Sequence, residues 1–293
     1  MRLLIALLLT STAALAEVPA VVTDIAPVQS LAAAVMGDLG TPTLLLDRGA
    51  SPHGFQLRPS QMRAIADADL VVWIGPELTP WLEKSLQTRA PEAAILGLLA
   101  ASQTHRQGFS QAEDPDHDHD HGGLDPHAWL DPTNGKAWLG LIAAELSRLD
   151  PDNATIYAAN AALAAAAIDS ADAQAAGLLA PVKTRPFIAF HDAYGYFTAH
   201  FGLTLAGTVA LGDAASPGAR HLAELRARID TGSIPCIFPE VQHDPALAAQ
   251  MAAGTGITLG APLDPVGSML EPGPALYPDL ILSMARTLAA CPP

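Results

Sequence analysis

Between Ala154 and Leu179 the chain reads ATIYAANAALAAAAIDSADAQAAGLL, with no proline and no glycine before Gly177. Alanine has the strongest intrinsic helix preference, and nothing in this run interrupts a helix. Asp150-Pro151-Asp152-Asn153, directly ahead of it, is a helix-start signal. About 25 such residues make a rod of roughly 40 Å. Placed between two folded bodies, that rod is a stiff spine, unlike a flexible Gly/Ser linker. A spine predicts small lobe motion on ligand binding rather than wide hinge closure.

On either side of the spine, short β runs alternate with helical stretches. In the first half Val21–Ala26, Thr43–Leu46, Leu70–Ile74 and Ala94–Leu98 read as buried parallel strands. Val28–Met36, Pro59–Ala68 and Thr79–Thr88 read as helices between them. In the second half Phe187–Phe190, Leu205–Ala210, Ile234–Pro239 and Ile257–Leu259 read as strands. Ala193–Phe201, Ala219–Asp230, Pro245–Ala253 and Tyr277–Ala290 read as helices. Alternating β and α in each half predicts an α/β protein of two lobes, each a parallel sheet flanked by helices, joined by one long helix. The expected division is an N-terminal lobe over residues 17–149, the linking helix over 150–179 and a C-terminal lobe over 180–293.

The first residues follow the order of a secretory signal peptide: Arg2, an apolar run from Leu3 to Leu9, then small residues ending in Ala14-Leu15-Ala16. Cleavage is expected after Ala16, since the apolar run is too short to span a bilayer. The formal net charge is −15, and losing Arg2 makes the mature chain one unit more negative. Such a surface repels nucleic acid and anionic lipid and attracts cations. Export and an even cysteine count make a Cys236–Cys291 bridge the first expectation, with two thiols the alternative.

Against this layout, four residues carry metal chemistry. His53 follows the second strand, His127 lies in Leu124-Asp125-Pro126-His127, His191 directly follows Phe187–Phe190, and Asp264 follows the last strand. Ligands of open α/β sheets bind beyond the carboxyl ends of the strands. Two of the four come from each half, so a ligand would bridge the lobes. Three imidazoles and a carboxylate suit a tetrahedral Zn²⁺, while Mn²⁺ and Ca²⁺ prefer more oxygen. The low-complexity run EDPDHDHDHGG, Glu113 to Gly123, adds His117, His119 and His121. His-rich tracts bind metal, though a merely solvated acidic loop has the same composition. His105, His200, His221 and His243 are read as surface or locally bonded. Trp129, Tyr194 and Tyr196 are expected to pack beside the site, and Asp192 could orient a ligand imidazole.

The runs GASPHGFQLRPSQ, LVVWIGPEL, LDPHAWLDP, FIAFHDAYGYFTAHFGLT and LDPVGSMLEPG together resemble the zinc-binding proteins of bacterial zinc ABC importers, the ZnuA type. The likeness covers nearly all of the chain beyond residue 16. It implies two α/β lobes on a backbone helix, a periplasmic monomer, Zn²⁺ as the transported ligand and a membrane permease as partner. It places the family's ligand histidines at His53, His127 and His191, its disulfide at Cys236 and Cys291, and its His-rich loop at Glu113 to Gly123. Some members carry Glu directly before the first ligand histidine; this chain has Pro52. Related metal-binding proteins use an acidic residue where Asp264 stands, so Asp264 or a water is expected as the fourth ligand.

Other functions compete. A zinc hydrolase also uses three protein ligands plus water. No HExxH occurs, however, and no Ser or Cys nucleophile stands in a recognisable motif. The same site could instead serve uptake of manganese or another divalent metal, an adhesin, or a zinc buffer.

Overall fold

The computed structural model describes residues 18–89, 92–109, 123–210 and 217–292. The expected signal peptide and His117, His119 and His121 therefore lie outside the described residues.

The first sheet contains β1 (Val21–Thr23), β2 (Thr43–Leu44), β3 (Leu70–Trp73) and β4 (Ala94–Gly97), in the order β2-β1-β3-β4. The second contains β5 (Phe187–Ala189), β6 (Leu205–Thr208), β7 (Cys236–Ile237) and β8 (Thr258–Leu259), in the order β6-β5-β7-β8. All neighbours are parallel. Helices cross between the strands: α1 (Ala26–Met36), α2 (Pro59–Ala66) and α3 (Pro80–Arg89) in the first half. In the second half they are α6 (Gly195–Phe201), α7 (Ala219–Asp230), α8 (Ala246–Ala252) and α9 (Leu276–Ala289). Successive side chains of a strand point to opposite faces, and the core divides accordingly. Val21, Leu70, Val72, Phe187, Ala189 and Cys236 face one central apolar cluster. Val22, Val71 and Trp73 face an outer cluster of the first lobe, and Ile188 and Ile237 one of the second. The two lobes thus share their inner core.

The spine is α5 (Ala154–Leu179), 26 residues long. Tyr157, Ala161, Ile168, Ala171, Ala175 and Leu179 form its buried stripe, at the spacing of one helical face. It packs against α1, α9 and α4 (Pro132–Leu149). Helix α4 was absent from the sequence expectation. Asp131 caps it by accepting from Thr133 N at 2.8 Å, and Pro132 fills the first turn, where no N–H is required. Trp138, Leu139, Ile142, Ala143 and Leu146 supply its buried face. Gly135 and Gly140 obscured this periodicity. Gly135 has a packing reason, because a Cβ there would meet the Tyr277 ring and hydroxyl.

Cys236 and Cys291 are bridged, with Cα atoms 6.0 Å apart. The bond ties the segment after α9 to a central strand of the second sheet. No helix among the described residues is long and apolar enough to cross a membrane.

Candidate metal centre

The loop after β2 carries His53. Trp81 of α3 holds that loop by donating its indole N–H to Pro52 O at 2.7 Å, and the Trp81 ring lies 5.3 Å from that of Phe55. His127 opens the 3₁₀ turn Ala128–Leu130 that leads into α4. His191 stands two residues past β5. The chain thus brings three histidines from both halves into one cleft, and among the described residues they form a group whose donor atoms all lie within 4.8 Å of one another. Ring centroids are 5.3 Å apart for His53–His127, 5.3 Å for His127–His191 and 5.8 Å for His53–His191. Bonds of about 2.0–2.1 Å to one ion put tetrahedral nitrogens roughly 3.4 Å apart. Small side-chain rotations bring the group to that separation.

Buried carboxylates orient two of the rings. Asp125 Oδ1 accepts from His127 Nδ1 at 2.8 Å and from His127 N at 2.9 Å. Glu240 accepts from His191 Nδ1 at 2.8 and 2.7 Å and from His191 N at 3.2 Å. A ring that donates from Nδ1 presents the lone pair of Nε2, the form a divalent cation needs. Burial pushes the Glu240 carboxyl up, but His191, His243 and Tyr194 outweigh it and hold the group below its ordinary value. Burial, then the neighbouring His127, His191 and His243, hold His53 down to about 2. His53 is therefore neutral and able to ligate at ordinary pH.

Glu240 and His243 had no signal as site residues. Both follow β7, and the pairing of β7 with β5 puts them beside His191. A second group gathers donor atoms of His191, Glu240 and His243 within 4.8 Å. Glu240 is a carboxylate that holds His191. The sequence-predicted Asp264 is not brought to the three imidazoles. Its oxygens accept from Gln242 Nε2 at 2.9 Å, Met269 N at 2.7 Å and Ser268 Oγ at 3.1 and 3.2 Å. A short acidic side chain at the start of a turn is readily captured by the following N–H and hydroxyl groups, and here they fold it into its own loop.

The remaining expected residues have local partners. Trp129 packs on His127, ring centroids 5.2 Å apart, and donates Nε1–H to Pro265 O at 2.7 Å. Tyr194 lies 6.3 Å from the His191 ring. Tyr196 accepts from Gln107 N and donates to Asp125 O. His105 and His200 bond Asp131, His200 also bonds Asp172, and His221 bonds Thr208 O.

Parallel sheets flanking a helical spine, with three oriented imidazoles in the cleft between their strand ends, define an α/β protein built to capture a metal ion. The family model described as zinc-uptake complex component A, periplasmic, matches residues 21–291. The high-affinity zinc uptake system protein ZnuA of Paracoccus denitrificans is 46% identical, over 94% of this chain and 92% of its own. Its counterpart in Brucella abortus is 33% identical, over 93% of this chain and 91% of its own. The crystal structure of a zinc-bound ZnuA deletion mutant superposes with a TM-score of 0.79 at 25% identity, covering 94% of this chain and 98% of its own. The chain belongs to the periplasmic zinc-uptake component A family.

Proposed function

We propose that His53, His127 and His191 ligate a single Zn²⁺ in the interlobe cleft, and that the loaded face hands the ion to the permease of an ABC importer. As a member of its family the chain is a component of zinc uptake rather than an enzyme, and Zn²⁺ is its cargo. The carrying observation is the convergence of three imidazoles from both halves, two of them aimed by buried carboxylates. Formally, the two negative charges of Asp125 and Glu240 balance the charge of the ion, so the loaded cleft is electrically matched without water. The nitrogen-rich donor set favours Zn²⁺ over Mn²⁺. An export signal ending at Ala16 and action as a monomer complete the reading. His117, His119 and His121 form an auxiliary collecting loop that the main site does not require.

Chelator-competition titration tests this. His191→Ala is expected to remove most of the zinc affinity, and joint replacement of His117, His119 and His121 by Ala to leave it nearly intact. Equal losses would move the principal site to the loop. In a zinc-starved strain lacking its own binding protein, the wild type restores growth and His191→Ala does not.

A further inference from the structure

Beside the three histidines lies a fourth imidazole that no sequence motif marks. His243, in the turn after β7, lines the same cavity as His53, His127 and His191. Its ring centroid is 5.7 Å from that of His191, against 5.8 Å between His53 and His191. The ring stacks on Phe190 at 4.4 Å with the planes 20° apart, which fixes it against the residue preceding His191. Its side chain is 24% exposed, whereas those of His127 and His191 are 2% and 5% exposed. His243 therefore stands nearer to solvent than His127 and His191. Nε2 is 3.8 Å from Glu240 Oε2, beyond hydrogen-bonding distance, so turning it toward an ion breaks no bond to Glu240.

The other candidates for a fourth donor are engaged elsewhere. Asp264 is held by Gln242, Ser268 and Met269. Both Glu240 oxygens accept from His191 Nδ1.

We infer that His243 supplies the fourth donor to the bound zinc, closing the site as four imidazoles. This rests on the three-histidine site proposed above. His243 would join after the ion has settled on the other three rings and would be the first ligand to leave.

Zinc K-edge absorption on the zinc-loaded full chain tests it by counting imidazoles. Four are expected in the wild type and three in His243→Phe, which keeps a ring stacked on Phe190. The same variant should lose about 10–100-fold in zinc affinity while still binding one equivalent. Three imidazoles in the wild type, with count and affinity unchanged in His243→Phe, would overturn the inference and leave the three-histidine site standing. Four persisting in His243→Phe would overturn it by assigning the fourth to another histidine. Failure of the underlying site looks different, since His191→Ala would then keep the wild-type count and affinity. A wild-type count of three overturns the inference without any variant, so the test can fail even if the substitution disorders the turn.

Discussion

Asp125 and Glu240 each accept the Nδ1 proton of a histidine of the cluster, and both are buried. Replacing either by its amide keeps the shape but lets the side chain donate as well as accept, which no longer fixes the imidazole tautomer. Glu240→Gln and Asp125→Asn are each expected to weaken zinc binding by about 10–100-fold in chelator competition. Asp264→Asn should cost less, because its carboxylate organises its own loop. A larger loss at Asp264 would return it to the ligand set. His53 makes one contribution to the acid response. Its folded-state value of about 2 lies below its ordinary 6.5, so below 6.5 the unfolded chain takes up the proton and the folded chain does not. The His53 contribution to the stability of the metal-free protein then falls as pH drops from 6.5 towards 2, against an opposite contribution from Asp24, whose carboxyl burial raises to about 7. Each pH unit costs about 1.4 kcal/mol for a single such group. Denaturant titrations between pH 4.5 and 7.5 should show this slope reduced in His53→Gln, and an unchanged slope would place His53 in open solvent. The three clustered histidines were legible because each follows a strand or opens a helix within a recognisable run. Glu240 and His243 were not, since Pro239-Glu240-Val241-Gln242-His243 has no ligand spacing and reaches His191 only through β5–β7 pairing.

At the scale of elements, helix α4 shows where propensity misleads. An interior glycine costs a helix up to about 1 kcal/mol relative to alanine, so Gly135→Ala should by propensity stabilise α4. Tyr277 reverses the sign. It packs against Gly135, donates its hydroxyl proton to Trp129 O at 2.7 Å, and is fully buried. Overpacking at such a contact costs about 1–3 kcal/mol and outweighs the helical gain. Gly135→Ala is therefore expected to lower stability by about 1–2 kcal/mol in urea unfolding, whereas Gly140→Ala, with open space around it, should raise it. The strand–helix alternation was readable because parallel strands buried on both faces leave continuous apolar runs. Strand ends were less so: β7 spans Cys236–Ile237 where Ile234–Pro239 was expected, and β2 spans Thr43–Leu44 rather than Thr43–Leu46. The extra residues enter the core, as Leu45, Leu46 and Phe238 do, and their N–H groups still donate to Thr23 O, Asp24 O and Ile188 O, so the apolar runs extend past the regular ladder on single bonds to the neighbouring chain.

For the whole molecule, the bonds between the halves decide how far the lobes can move. Trp129 Nε1 donates to Pro265 O at 2.7 Å, Tyr277 N to Ser30 Oγ at 2.9 Å, and Arg48 Nε to Ser268 O at 2.5 Å. Helix α9, near the end of the chain, packs on both α5 and α1. A wide hinge would have to break these bonds and open the shared apolar cluster, so zinc loading is expected to act locally. Small-angle scattering should give a radius of gyration of about 19 Å that is the same, within its precision, with and without zinc. A measurable contraction on loading would refute the spine argument. The Trp129 bond is the pin closest to the metal. Trp129→Phe keeps an aromatic ring beside His127 but leaves the Pro265 carbonyl without its buried donor, a cost of about 1–3 kcal/mol. Amide exchange in Val266–Leu270 should then quicken while exchange in β3, paired on both sides by β1 and β4, stays slow. Loss of protection throughout both sheets instead would mean that Trp129 holds the entire core rather than the junction between the lobes.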